Sequence, residues 1–94
     1  MLKQTILLAA LRIARTEGLR GLTRSNVSKL AVCGTGTINY HFESMDALRG
    51  AVIDHAIEHE IIEILVQARA ERDPRLGRLS AALKERVANH ITGR

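Results

Sequence analysis

The stretch that indicates the fold is GLRGLTRSNVSKLAVCGTGTINYHFESMDAL, residues 18–48. It contains two short helical segments, predicted at about residues 23–31 and 35–41. Thr23 is suited to cap the first segment, because its hydroxyl can accept a hydrogen bond from a free backbone amide two or three residues on. Residues 32–34 then form a tight turn. Two short helices joined by such a turn are typical of a helix-turn-helix.

A first helix is predicted upstream of this stretch, from about Leu2 to Glu17. Gly18 is placed to end it in a left-handed conformation, with Leu19 folding back on the last turn. The apolar face of this helix recurs at helical spacing and consists of Ile6, Leu7, Ala10, Leu11 and Ala14.

Downstream, Ser44 is the expected N-cap of a long fourth helix that runs to about Arg72. Asp73 and Pro74 break the chain and begin a last helix, since Asp caps helices and Pro suits the first helical position. Its apolar stripe is Leu76, Leu79, Leu83, Val87 and Ile91, and Gly93 ends it.

The predicted fold is therefore all-α. We expect a five-helix single domain with an N-terminal three-helix helix-turn-helix unit, a long fourth helix and a C-terminal helix. We expect residues 1–48 to form a helix-turn-helix DNA-binding region and residues 49–94 to form a helical dimerisation region packed on it.

Composition and charge agree with this fold and favour a polyanionic partner. Of the 94 residues 46% are hydrophobic and only 2% aromatic, so aliphatic helix packing supplies the core. The net charge of +4 is unevenly distributed. Residues 1–49 carry seven basic and three acidic side chains, whereas residues 50–72 carry two basic and five acidic ones.

Several classes of protein are disfavoured. The single Cys33 excludes an intrachain disulfide and fits a reducing cytoplasm, and we expect it to pack as a small apolar side chain. No run approaches the roughly 18 apolar residues of a membrane span. No serine has a plausible base partner and the GTG of residues 34–36 is too short for a phosphate loop, so neither an enzyme nor a cofactor is expected.

His55 and His59 stand four residues apart, with Glu58 and Glu63 nearby. Two histidines on one helix face can bind zinc. Because no third ligand is evident, we interpret them as ordinary helix-surface or interface histidines and expect no metal site.

Residues 4–55 resemble the DNA-binding domain of the tetracycline-repressor (TetR) family. The positions in register with the family pattern are Gly18, Leu22, Thr23, Ala31, Gly36, Thr37, His41, Phe42, Ser44 and Leu48. The resemblance implies a sequence-specific transcriptional regulator, most simply a repressor, that binds a palindromic operator in double-stranded DNA as a homodimer.

The resemblance also implies roles for individual residues. Thr23 would cap the second helix and touch a phosphate, Thr35 and Thr37 would face the DNA, and His41 would lie near the DNA backbone. The full set of candidate DNA-binding residues is Thr23, Arg24, Lys29, Thr35, Gly36, Thr37, Asn39, Tyr40, His41 and Met45.

The chain departs from the family pattern at three positions. Gly34 replaces a serine, Asn39 replaces a phosphate-contacting tyrosine, and Met45 replaces a phosphate-contacting lysine. Asn can instead bond bidentately to adenine, so the specificity is expected to differ. The basic residues available to compensate for the lost phosphate contacts are Lys3, Arg20 and Arg24.

About 46 residues follow Leu48, too few to enclose an effector cavity of about 300 Å³. We therefore expect no small-molecule effector pocket. The long helix is apolar on two sides, and a second subunit is expected to cover one of them; alternatively, the last helix covers the whole apolar surface. The candidate dimer-interface residues are Ile57, Ile61, Ile62, Ile64, Leu65 and Leu83.

A different class of function stays open. The departures at Asn39 and Met45 also fit a small adaptor or anti-regulator, which keeps the helix-turn-helix scaffold and binds a protein through its acidic long helix. Salt-dependent DNA binding discriminates between the two functions.

Overall fold

The computed structural model describes the backbone of residues 2–92 and the side chains of residues 2–90. This part of the chain is helical and contains no strand, as expected. It forms six α-helices: α1 (Leu2–Thr16), α2 (Arg24–Ala31), α3 (Thr35–His41), α4 (Met45–Glu58), α5 (Ile62–Ala70) and α6 (Ala81–Thr92). Two 3-10 turns cover Leu19–Gly21 and Pro74–Arg78. The predictions for the Ile91 side chain and for Gly93 lie outside the described residues.

The chain divides into two compact units, residues 1–52 and residues 53–94. The boundary falls inside α4, a few residues after the boundary predicted at residues 48 and 49. Within residues 2–92, no helix has both the length and the apolar character needed to cross a membrane.

The first unit is built around α1, which packs against α2 and α3. Its core consists of buried aliphatic side chains and Phe42: Ile6, Ala9, Ala10, Leu11, Ile13, Ala14, Leu19, Val27, Ile38, Phe42, Leu48 and Val52. Gly18 follows α1 with φ 89° and ψ 165°. The predicted positive φ is confirmed, but this ψ is extended and lies outside the left-handed helical region.

The predicted long helix from Ser44 to Arg72 is wrong, because the chain forms two helices there. The amide of Ile61 donates to the carbonyl of Ala56 at 2.8 Å, and the amide of Glu60 donates to Ile57 at 3.4 Å. With Glu60 at φ 54°, these bonds form a Schellman motif that ends α4. No glycine or proline marks this site, so the sequence carried no stop signal, and the expected five helices become six.

In the second unit, α5 packs against α6. Ile64, Leu65 and Ala68 of α5 are buried, as are Leu83 and Val87 of α6. The last helix starts later than predicted. Asp73 and Pro74 begin the second 3-10 turn, and α6 starts at Ala81, where the amide of Leu83 donates to the Ser80 hydroxyl at 3.1 Å.

Candidate nucleic-acid interface

The start of α2 is held by side chains of the residues around it. Thr23 Oγ1 accepts a hydrogen bond from the amide of Asn26 at 3.1 Å, which confirms the predicted cap. The side-chain amide of Asn26 donates in turn to the carbonyl of Gly21 at 2.9 Å. The beginning of α2 is thereby tied to the turn that precedes it.

The connection between α2 and α3 is a second Schellman motif. The amide of Cys33 donates to the carbonyl of Ser28 at 3.1 Å, and that of Val32 donates to Lys29 at 3.4 Å. The Ser28 hydroxyl also donates to the carbonyl of Cys33, so a side-chain hydrogen bond stabilises the turn as well. Val32 takes the left-handed position at φ 55° and is 88% exposed, while Cys33 is half-buried.

One face of α3 packs into the first unit and the other faces solvent. Ile38 is 1% exposed and anchors the helix, and Phe42 just beyond its end is also buried. Thr35, Gly36, Asn39 and Tyr40 are exposed, with Tyr40 at 85%. Thr37 and His41 are half-buried. The solvent-facing surface of α3 is therefore small, polar and rich in hydrogen-bonding groups.

A hydrogen bond that the sequence did not predict links α2 to this surface. The Nε of Arg24 donates to the side-chain oxygen of Asn39 at 2.8 Å, and both side chains are exposed. Because Arg24 holds the oxygen, the amide of Asn39 has a defined orientation, with its NH₂ group directed away from that bond. The first residue of α2 thus orients a side chain of α3.

Other predicted residues lie around α3 in different environments. Lys29 and Thr23 are exposed on α2 and its cap, whereas Met45 is half-buried at the start of α4. The ammonium of Lys3 lies 5.4 Å from the centroid of the Phe42 ring, a cation–π contact that places a positive charge beside the C-terminal end of α3. The rings of Tyr40 and His41 meet edge to face, with centroids 5.0 Å apart.

The two exposed glycines near the start of α3 have free space around them. A Cβ atom added at Gly34 or at Gly36 meets no atom within 4 Å. Neither residue has a positive φ. The fold of this chain therefore gives no steric reason for glycine at either position.

The candidate dimer residues divide into two groups of three. Ile64 and Leu65 are 0% exposed and Leu83 is 6% exposed, so their own chain already covers them. Ile57, Ile61 and Ile62 are half-buried and keep apolar surface in contact with solvent. Only three of the six predicted residues therefore leave apolar surface available to a second subunit.

The second unit has an open surface groove of about 440 Å³. Its volume is larger than the roughly 300 Å³ of an ordinary effector cavity. It is, however, an open groove and not an enclosed cavity. Its lining combines apolar and charged side chains: Arg69, Leu76, Leu79, Lys84, Glu85, Val87 and Ala88.

Comparisons of the chain with protein-family models, curated proteins and solved structures gave no match.

Proposed function

We propose that this chain is a sequence-specific DNA-binding transcriptional regulator of the tetracycline-repressor type, most simply a repressor. The observation that carries the proposal is the exposed surface of α3. Ile38 anchors the helix, while Thr35, Asn39 and Tyr40 are presented to solvent. Such side chains are suited to base edges in a major groove, which at about 12 Å wide admits one helix.

In this proposal α2 and α3 form the helix-turn-helix, and α3 enters the groove. Asn39 hydrogen-bonds adenine, with its amide held by Arg24 at 2.8 Å. Thr23 and Lys29, both exposed on α2 and its cap, contact phosphates. The positive charge of residues 1–49 supplies the sequence-independent attraction to the duplex.

The protein binds DNA as a homodimer with two-fold symmetry. The half-buried side chains of Ile57, Ile61 and Ile62 supply apolar surface for the contact between subunits. Two α3 helices then read a palindrome whose half-sites lie about 34–36 Å apart, or a multiple of that distance. A dimer bound across a promoter excludes polymerase, which is the simplest mode of repression.

Selection of bound duplexes from a random pool tests this function, followed by fluorescence anisotropy on the selected sequence at several salt concentrations. We expect a palindrome to emerge and its affinity to fall steeply with salt. Lys29→Ala should reduce the salt slope by about one phosphate contact. The matched control Lys84→Ala removes an exposed lysine from α6 and should leave the slope unchanged. A pool that yields no enriched sequence would refute the proposal.

A second candidate function, binding of a protein partner, is favoured by the apolar side chains beside the turn. Leu30 is 40% exposed and Val32 is 88% exposed, although neither is needed for contact with phosphates. As an adaptor or anti-regulator, the chain would dock these side chains on another protein. The same selection separates the functions, because an adaptor enriches no DNA sequence and shows no salt-dependent binding.

A further inference from the structure

Three potential metal ligands meet at the C-terminal end of α4, in the second unit. His55, Glu58 and His59 each offer one ligand atom, and these atoms lie within 4.8 Å of one another. The two imidazole rings lie with their centroids 4.2 Å apart. Glu58 Oε1 is 3.7 Å from His59 Nε2. The sequence analysis found no third ligand, and the structure brings Glu58 into that position as a candidate.

The spacing of the three residues explains why they meet. Positions i, i+3 and i+4 lie on one face of a helix, so the end of α4 brings all three side chains to one side. The amide of His59 donates to the carbonyl of His55 at 2.9 Å, which extends the helical backbone geometry to the last ligand. The arrangement is thus set by local backbone structure and needs no rearrangement of the fold.

The dimensions fit a small transition-metal ion. Zinc binds imidazole nitrogen and carboxylate oxygen at about 2.0–2.2 Å in a tetrahedron, so its ligand atoms lie about 3.3–3.5 Å apart. The ligand atoms lie within 4.8 Å of one another, and the side chains of Glu58 and His59 are exposed, so packing does not hold them in place. His55 is half-buried and supplies the more fixed of the three ligands.

The electrostatic surroundings also favour a cation. The aligned peptide dipoles of a helix give its C-terminal end a partial negative charge. The segment of residues 50–72 has a net charge of −3. Arg86 forms an ion pair with Glu60, a carboxylate outside the set of three ligands, and this pair offsets the positive charge of Arg86.

We propose that His55, Glu58 and His59 form a binding site for a divalent transition-metal ion such as Zn²⁺, with water completing the coordination. Two imidazoles and one carboxylate select Zn²⁺ and Cu²⁺ over Mg²⁺ and Ca²⁺, which prefer oxygen ligands. The bound ion joins the last turn of α4 to the residue that follows it. This site shares no residue with the surface of α3, and the proposal does not depend on the proposed DNA binding.

Isothermal titration calorimetry with ZnCl₂ on the full chain, free of any histidine tag, tests the proposal. We expect one ion per chain, and no binding of Mg²⁺ at the same concentration. His55→Ala and His59→Ala should each weaken binding by about tenfold or more, by analogy with the loss seen when partners of metal ligands are removed. The matched control is His90→Ala, which removes another exposed helical histidine and should bind like the parent.

Glu58→Gln tests the third ligand on its own. A weaker affinity for Zn²⁺ in this variant supports the three-ligand site, and an unchanged affinity contradicts it. Circular dichroism verifies that each variant stays folded. Equal binding by the His55→Ala/His59→Ala double variant, or one ion shared by two chains, would overturn the proposal.

Discussion

The Nε of Arg24 donates a hydrogen bond to the side-chain oxygen of Asn39, 2.8 Å away and 15 residues later in the chain. The bond joins the first residue of α2 to the outward face of α3. An asparagine amide reads adenine only when its oxygen and its NH₂ group point in the right directions. In the proposed complex, Arg24 therefore acts as a positioning residue for Asn39.

Replacing Arg24 by lysine tests this relationship at constant charge. Arg24→Lys keeps the attraction to phosphates but removes the Nε donor, so the amide of Asn39 can rotate. We expect the preference for adenine at one operator position to relax. The loss in discrimination should be about 1–3 kcal/mol, the same as that expected for Asn39→Ala. Anisotropy titrations with operators altered one base pair at a time measure this preference. Retained discrimination with an unchanged salt slope would show that Arg24 does not orient Asn39.

Gly36→Ala separates folding from DNA binding. The added Cβ meets no atom within 4 Å, and alanine is the better helix former, so the free energy of unfolding should rise by about 0.5 kcal/mol. If α3 lies close to DNA, the same methyl group obstructs the approach, and affinity for the selected operator should fall by about tenfold, or 1.4 kcal/mol. Urea unfolding and anisotropy measure the two effects. An affinity equal to that of the parent would contradict close approach of DNA at Gly36.

Val32→Gly should stabilise the first unit. Val32 is held at φ 55°, a conformation that costs an L-residue about 1–2 kcal/mol and suits glycine. Its side chain is 88% exposed, so little packing is lost on its removal. After allowance for the greater freedom of glycine in the unfolded chain, we expect a gain of about 1 kcal/mol, or about 4–8 °C in Tm. The control Val32→Ala should gain less stability, because alanine keeps the Cβ atom. Equal gains in the two variants would refute backbone strain at Val32.

Asp73→Ala should destabilise the second unit. The carboxylate of Asp73 is buried and accepts hydrogen bonds from the backbone amide of Arg75 at 2.9 Å and from its guanidinium at 2.9 and 3.2 Å. Loss of this cap and ion pair should lower the free energy of unfolding by about 1–3 kcal/mol in a urea titration. The control Asp54→Ala removes the exposed pair with Arg78 and should change stability by no more than about 1 kcal/mol. Similar losses of unfolding free energy in both variants would contradict the claim that the buried Asp73 interactions stabilise the unit more than an exposed ion pair does.

Ile62→Lys tests the proposed contact between subunits. Ile62 is half-buried at the start of α5, so a lysine there should disturb a dimer contact without entering the core. Sedimentation velocity should show a monomer of 10.4 kDa with helical content equal to that of the parent. Leu8→Lys, at a 57% exposed position of α1, is the control and should stay dimeric. A dimeric Ile62→Lys protein would exclude this surface.

The local elements of the fold could be predicted because their signals lie within a few residues. The caps of α2 and α4 follow from the Thr23 and Ser44 hydroxyls, which accept hydrogen bonds from amides three residues on, at 3.1 and 3.0 Å. The bounds of α2 and α3 follow from capping and from the turn between the two helices. The resemblance to a repressor family stays a prediction, as do the DNA contacts inferred from it.

The end of α4 could not be predicted, because Glu60 adopts a conformation that glycine usually takes. When a residue other than glycine ends a helix in this way, packing and the hydrogen bonds of the motif determine the position. The amino-acid composition of the segment then does not indicate where the helix ends. The start of α6 was misplaced for a related reason: Asp73 and Pro74 are suited equally to an α-helix and to the 3-10 turn that they form.

The amino-acid sequence by itself determined an all-helical chain, the two short helices with the turn between them, and the polar face of α3, because these depend on contacts between near neighbours. Only the tertiary structure decided that Ile64, Leu65 and Leu83 are covered by their own chain and that Arg24 meets Asn39. Such pairings depend on how separate helices pack. Packing is the sum of many weak contacts between residues distant in the chain, and no single residue encodes it.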